Sequence, residues 1–322
     1  MSGIPQREFG KSGVKLAALG LGGHHLGDAE SYSTAERIVH AAVDGGVMFF
    51  DNCWEYHNGR SEDWMGRALK GRRDKVFLMT KVCTHGRDKA LAMKMLDQSL
   101  RRLQTDHLDL WQLHGISFDN DPDLAFKTGG GYEALLEAKK QGKIRFIGFT
   151  GHKDPKLHLA MLQRGQFDAL QMPLNPFDSH FHSFEKAVLP EAAKRRVAVL
   201  GMKPMSGSGD PVKKNILTAE ELLRYAMSLP GVTLTISGME KLEYLQGNLK
   251  VAQSFTPMTA EELEATRKKA APAAADGRFE LYKTSIKYDN PEARKAHGFP
   301  EDDQSKETKE KLEAAKGKEE GK

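Results

Sequence analysis

The chain has 322 residues, 39% apolar and 29% charged, with a formal net charge of +4; that is enough apolar material for one large core, and no basic stripe with interleaved aromatics points to nucleic acid. Two cysteines, Cys53 and Cys83, support no disulfide framework and fit a reducing compartment. No run approaches the roughly 20 apolar residues that span a bilayer, and the N-terminus lacks a basic-then-apolar signal layout, so a cytoplasmic protein without a membrane partner is expected.

In chain order, PQREFGKSGVKL reads as a small hairpin turned at Gly10-Lys11-Ser12-Gly13. Eight short runs rich in Val, Ile, Leu and Phe follow. They are LAALGLGG (16–23), VMFFDN (47–52), VFLMTKV (76–82), LDLWQLHG (108–115), IRFIGFTG (144–151), ALQMPLN (169–175), VAVLGMKP (197–204) and VTLTISGM (232–239). Segments with helical spacing separate them. STAERIVHAAVDGG (33–46), for example, begins on a Ser/Thr cap, stripes Ile38, Ala41 and Ala42, and ends in glycine. SEDWMGRALKG and SFEKAVLPEAAKRR read as further helices of the series.

Strands buried on both faces, each followed by a helix, imply parallel pairing with right-handed crossovers. Eight such units predict a closed (β/α)8 TIM barrel as a single domain over residues 1–256, with the hairpin plugging its floor. A doubly wound open sheet is the rival, but LGLGGHHLG breaks the G-x-G-x-x-G spacing that would favour it. Residues 257–322 read as a C-terminal extension. AEELEATRKKAA is helical, and FELYKTSIKY carries aromatics placed to fold back and cap the mouth. The Lys/Glu-rich stretch past Pro300 reads as solvated or disordered over about the last 20 residues.

In such barrels the C-terminal strand ends form one mouth. Asp51 ends the second strand with Tyr56 in its loop, Lys81 ends the third, and His114 ends the fourth. Each is unfavourable on an apolar strand unless paired. Together they make coherent chemistry. An ammonium favours the ionised phenol, a carboxylate holds the ammonium, and histidine offers a hydrogen bond to a substrate oxygen. Such a set can protonate a carbonyl oxygen while hydride attacks the carbon, with no metal or side-chain nucleophile.

The motifs REFGKSGVKLAALGLGG, FFDNCWEYHNGRSEDWMGRAL, VFLMTKV, LDLWQLHG, IRFIGFTGH, QMPLN and TISGMEKLEYLQGN strongly resemble the aldo-keto reductase superfamily over about residues 5–255. The resemblance implies a NAD(P)H-dependent oxidoreductase interconverting a small-molecule carbonyl and an alcohol. Its tetrad maps to Asp51, Tyr56, Lys81 and His114. Tyr56 would be the general acid in reduction, tuned by Lys81 and Asp51, while His114 orients the carbonyl.

For the cofactor, NADPH by family usage with NADH left open, the resemblance implies Gly22, Thr150, Gly151 and Gln171. Gln171 is a better carboxamide contact than Asn175, and Gly151 departs from the usual asparagine. Met202 stands where a stacking tyrosine is common, followed by Lys203, Pro204, Met205 and Gly207. Ser237, Gly238, Met239, Lys241, Tyr244 and Asn248 complete the phosphate and adenine end. His24, Trp54 and His152 are expected to face substrate; plain packing in the loop is the alternative for Trp54. IGFTGHKDP, QMPLN and GMKPM also resemble a bacterial branch that often carries a ferredoxin-like extension, but the tail after residue 255 has no cysteine for a cluster.

Two other classes stay open: a non-catalytic nucleotide sensor or scaffold subunit on the same fold, and a metal-assisted hydrolase using the mouth histidines His24, His25, His57, His85, His152, His180 and His182. His180-x-His182 is the natural nucleus of a metal site, but no partner completes a ligand set at recognisable spacing, so no metal is expected. Cys53 and Cys83, each two residues past a tetrad member, read as free thiols rather than a redox pair.

Overall fold

The computed structural model describes residues 3–82, 87–285 and 288. Strands β1 (Gln6–Glu8) and β2 (Lys15–Ala17) form the antiparallel hairpin, with Arg7 opposite Leu16. Gly10 (φ 59°) and Gly13 (φ 76°) supply the left-handed residues of its turn. The run expected as one strand over 16–23 is therefore divided. Leu16 and Ala17 close the hairpin, and β3 (Leu19–Gly22) opens the barrel.

Seven parallel strands follow: β4 (Phe49–Asp51), β5 (Phe77–Val82), β6 (Leu108–Leu113), β7 (Ile144–Thr150), β8 (Ala169–Pro173), β9 (Ala198–Met202) and β10 (Val232–Gly238). The eight close in the order β10-β3-β4-β5-β6-β7-β8-β9. The helices in chain order are α1 (Gly23–Gly27), α2 (Tyr32–Asp44), α3 (Arg60–Ala68), α4 (Lys89–Arg102), α5 (Asp121–Phe126), α6 (Gly131–Lys140) and α7 (Pro155–Arg164). They continue with α8 (Phe184–Ala187), α9 (Leu189–Arg195), α10 (Asp210–Lys213), α11 (Ala219–Ser228), α12 (Leu242–Gln253), α13 (Ala260–Ala274) and α14 (Leu281–Thr284). SFEKAVLPEAAKRR, expected as one helix, breaks into α8 and α9. Pro190 sits in the first turn of α9, where its missing N–H has no partner to lose.

Side-chain alternation explains the two layers of core. Phe49, Phe77, Met79, Leu110, Leu200, Leu234 and Ile236 pack inside the barrel, joined by Phe9 and Leu16 of the hairpin. The Phe9 ring lies 5.1 Å from both Phe77 and Phe146, so the hairpin plugs the floor. Their chain neighbours Phe50, Leu78, Trp111, Phe149, Leu170 and Val199 face the helices. Carried along the strands with period two, this pattern turns Asp51, Lys81, Thr150, Gln171 and Met202 inward at the C-terminal rim.

The C-terminal segment returns to that rim. α13 opens on a capping box in which Thr259 and Glu262 satisfy each other's backbone N–H groups. Phe279 then packs on Phe177 at 5.3 Å between ring centres. Lys283 Nζ, buried, donates to Asp178 Oδ1 (2.7 Å), Glu280 Oε2 (3.0 Å) and the Phe181 carbonyl (2.7 Å). The Tyr282 hydroxyl donates to Glu280 Oε1 at 2.6 Å and accepts from Asn175 Nδ2 at 3.0 Å. One ammonium thus serves two buried carboxylates, and burial pushes Glu280 up to about 7.

A carboxyl raised on folding stabilises the fold while protonated, and that contribution is lost as pH rises through about 7. Glu280→Gln, neutral at every pH, is expected to gain stability over wild type at pH 8 by on the order of 2 kcal/mol more than at pH 5. Chemical denaturation at the two pH values checks this, and equal gains would contradict it.

Candidate active site

The inward ends of three adjacent strands bring the four polar residues together. Lys81 Nζ lies 2.5 Å from Asp51 Oδ1 and donates to the Asn52 carbonyl at 2.7 Å, with both charged side chains buried. Tyr56 follows β4 by five residues, and its ring centre is 4.7 Å from Lys81 Nζ. The His114 ring stands edge-on to Tyr56 at 6.0 Å. His24, near the start of α1, stands edge-on to Tyr56 at 5.2 Å between ring centres. Desolvation, then the neighbouring His25, pulls the His24 imidazole below its usual range, although more than half of the side chain is exposed.

The loop that carries Tyr56 is tightly held. His57 (φ 52°), Asn58 (φ 56°) and Gly59 (φ 90°) are left-handed in succession, and a Cβ on Gly59 would collide with the Arg102 guanidinium. Arg102, on α4, donates to the Trp54 carbonyl at 2.8 Å and to Glu62 Oε2 at 3.2 Å. Glu62, fully buried, also accepts from Thr80 at 2.6 Å. The Trp54 indole donates to Gln98 at 2.8 Å and lies under Arg102.

Glu55 went unnoticed in the sequence. Its carboxylate sits 2.7 Å from His114 Nδ1. A carboxylate only accepts, so Nδ1 carries a proton; in the neutral ring Nε2 is then an acceptor, open to the phenol hydroxyl, and it donates to a substrate oxygen only when it carries a second proton. The only local signal was an acidic residue beside Tyr56. Cys53 lies 3.2 Å from the same Nδ1, fully buried. Burial, then Glu55, pushes its thiol well up, which suits an inert thiol rather than a reactive thiolate. Cys83 and His85 lie outside the described residues. His180 Nε2 bonds the Arg267 carbonyl. Among the described residues the metal-capable triplets are His24–Asp28–His57 and Cys53–Glu55–His114, without His180.

The residues expected to hold a cofactor fall into three groups. Thr150, Gln171 and Met202 share the inward rim with Lys81. Gln171 Nε2 reaches Met202 Sδ at 3.6 Å, while its Oε1 is buried without a partner among the described residues. Gly151 offers backbone alone, because a Cβ there would strike the Ile116 carbonyl. Asn175 is spent on structure: its Oδ1 accepts from Phe177 and Asp178 N–H, and its Nδ2 donates to Tyr282 and to the Lys203 carbonyl.

The second group is the loop after β9. Lys203 (φ 54°), Ser206 (φ 58°), Gly207 (φ 78°) and Gly209 (φ 71°) are left-handed, Pro204 is buried and Met205 half-buried. Ser206 Oγ is buried and partnerless among the described residues. Burial, with Lys81 nearby, pulls the Lys203 amine down to about 8.

The third group surrounds α12. Gly22 and Gly238 are paired in register. Asn248 donates to Ser237 at 3.0 Å. Lys241 is the N-cap but makes no side-chain cap, leaving first-turn N–H groups of a 12-residue helix for an anion. Lys241 lies over the exposed Tyr244 ring at 5.4 Å. Met239 has its side chain fully buried in the core and can offer only backbone. The orphaned Gln171 and Ser206 oxygens and the uncapped helix fit a carboxamide-and-diphosphate ligand.

The fold is a (β/α)8 barrel whose C-terminal mouth gathers a compact set of ionisable groups, the face on which such barrels carry active sites. Residues 18–215 match the Aldo/keto reductase family, and the chain belongs to that family of oxidoreductases, which act on small carbonyl substrates. It is 30% identical over 277 residues to the methylglyoxal reductase YeaE of Escherichia coli, covering 81% of this chain and 93% of that protein. Among solved structures it resembles the aldo-keto reductase AKR11C1 of Bacillus halodurans in its holo form (26% identity, TM-score 0.71, 83% and 96% of the two chains). A second likeness, in fold, is to an aldo-keto reductase of Klebsiella pneumoniae in complex with NADPH (22% identity, TM-score 0.67, 84% and 96%). Among the described residues no helix is long and apolar enough to cross a membrane.

Removing one member of a buried ion pair strands the other. Lys81→Met is expected to lower unfolding free energy by about 3–5 kcal/mol, and Asp51→Asn combined with Lys81→Met to recover most of it. Urea denaturation of the single and double variants checks this. A single-variant loss under about 1 kcal/mol, the scale of an exposed pair, would contradict it.

Proposed function

We propose that this protein is an NADPH-dependent reductase of aldehydes or ketones, running the reverse alcohol oxidation at the same site, with Tyr56 as the proton donor. The observation that carries the reading is the Tyr56 phenol against Lys81 Nζ, at 4.7 Å from the ring centre, with that amine locked to Asp51. An ammonium beside a phenol favours its ionised form and eases proton release. Asp51 keeps the amine in place, and the Asn52 carbonyl takes a second of its protons.

When bound, the nicotinamide supplies hydride to the carbonyl carbon. Gln171 and Thr150 would hold its carboxamide and Met202 would lie against its ring. The 203–209 loop and the first turn of α12 would take the diphosphate, and Tyr244 with Lys241 the adenosine end. That a structural neighbour is crystallised with NADPH favours this cofactor. Negative charge developing on the carbonyl oxygen is met by the Tyr56 proton, and His114, whose Nδ1 is held by Glu55, adds a hydrogen bond to that oxygen when its Nε2 is protonated as well. Neither step needs a metal.

Tyr56→Phe removes one oxygen and leaves the ring, the Lys81–Asp51 pair and the cofactor groups in place. It is expected to bind NADPH within about threefold of wild type while kcat falls by at least ~100-fold, the scale of general acid catalysis. Fluorescence titration and NADPH absorbance with a panel of aldehydes read the two quantities. Near wild-type turnover would overturn the assignment, and cofactor binding by the wild type without any turnover would favour the sensor class.

A further inference from the structure

Three kinds of metal-ligating group converge on one nitrogen of the tetrad. His114 Nδ1 lies 2.7 Å from Glu55 Oε1 and 3.2 Å from Cys53 Sγ, and the sulfur is 3.9 Å from the same carboxylate oxygen. Cys53 and Glu55 stand in the loop after β4, and His114 follows the last residue of β6. The backbone at each end is held. Arg87 donates to the His114 carbonyl at 2.8 Å, and the Cys53 N–H donates to Asn52 Oδ1 at 2.8 Å. The reductase reading gives Cys53 no part.

The spacing is that of a metal site. Zinc binds thiolate sulfur at about 2.3 Å and histidine nitrogen or carboxylate oxygen at about 2.0–2.2 Å. The three separations put the three atoms on a circle of about 2.0 Å radius, so one ion slightly off its centre reaches all of them at such lengths. Only the Nδ1–Oε1 edge is short for a tetrahedron, and it would open by about half an ångström once the proton between them is gone. The other cluster of ligating groups, His24–Asp28–His57, lacks this fit. His57 Nε2 is spent on the His24 carbonyl at 2.8 Å, and the Arg60 guanidinium stands 3.4 Å from its Nδ1, where a ligating ring needs an acceptor.

The charges balance as well. A thiolate and a carboxylate neutralise a divalent cation, so the site carries no net charge where burial would penalise one. Burial, then the Glu55 charge, keeps the free thiol protonated. A coordinated cation removes that obstacle, because it deprotonates a thiol outright and offsets Glu55. The thiol proton leaves to solvent. The Nδ1 proton moves to Nε2, since a ligating histidine carries its N–H on the nitrogen away from the metal. Glu55 and His114 are each 13% exposed, which keeps the carboxylate and the ring within reach of an entering ion and of a water as fourth ligand.

We propose that Cys53, Glu55 and His114 form a binding site for a thiophilic divalent cation of the zinc class. Thiolate supplies the preference for such ions over magnesium or calcium. The reduction itself has no use for the ion, and the site stands on these three side chains whether or not the reductase reading holds. Occupancy parts Nδ1 from Glu55 and leaves a ring whose one N–H is on Nε2, the nitrogen open to the phenol.

The test adds Cd2+ to the full-length protein with its thiols reduced and reads the ultraviolet charge-transfer band of a cadmium–thiolate bond. Zn2+ affinity is measured alongside by competition with a chromophoric chelator. The wild type is expected to show the band at one equivalent and to bind Zn2+ with a Kd of about 10 μM or tighter. Cys53→Ala is expected to lose the band and Glu55→Gln to weaken Zn2+ binding by about tenfold or more. Cys83→Ala, which removes the other cysteine, is expected to keep both. A wild type without the band, or a band that survives Cys53→Ala and vanishes in Cys83→Ala, overturns the site. Zn2+ affinity indifferent to Glu55→Gln overturns it too, in favour of a thiol acting alone. Neither readout uses turnover, so a protein that binds the ion and reduces no carbonyl keeps the site and loses the reductase reading.

Discussion

A buried ammonium–carboxylate pair between neighbouring strands, Lys81 to Asp51, is the constraint on which the mouth depends. Placing either charge alone on an apolar strand is strongly unfavourable, and the pair becomes tolerable because each partner satisfies the other and the Asn52 carbonyl takes a further proton. Such a pair is weak evidence for stability and better evidence for a task, because apolar residues of similar volume would pack there without the desolvation penalty. The amine stands against the Tyr56 ring, 4.7 Å from its centre, and the proposed proton-donor role rests on that placement. The loop that carries the ring is braced by Arg102, which donates to the Trp54 carbonyl and to Glu62, and by three left-handed residues after Tyr56.

The second feature of the mouth comes from the far end of the chain. Residues 279–285 return to the loop after β8, and the buried Lys283–Asp178–Glu280 cluster ties them there. Asn175, otherwise available to a ligand, is consumed by this tie. The tail brings Tyr282 to the rim, with Tyr288 beside it.

Most of the fold was legible because its signals are local and periodic. Runs of β-branched and aromatic residues separated by amphipathic stretches mark the eight units, and period-two alternation from Phe49 and Phe77 carries Asp51 and Lys81 inward. The division of 16–23 was hidden because a continuous apolar run does not show where a hairpin ends and a barrel begins. Glu55 was missed because its contact with His114 spans two loops. The Lys283–Asp178 contact joins residues 105 apart and leaves no periodic trace. Gly151 resembles a lost ligand residue in sequence, whereas the Ile116 carbonyl occupying the space of its side chain gives it a packing reason. Met239 sits in a motif of cofactor-facing residues, yet the strand-to-helix turn sends its side chain into the core.

The central claim is that the buried pair exists to make Tyr56 a proton donor during hydride transfer. Its most direct test is single-turnover reduction of an aldehyde with NADPH deuterated at the transferable C4 position, in the wild type and in the Asp51→Asn, Lys81→Met double variant. Expected are one deuterium on the alcohol carbon from the wild type, and transfer slowed by at least ~100-fold in a folded, cofactor-binding double variant. Transfer at the wild-type rate without the pair, or an alcohol lacking the label, would contradict it.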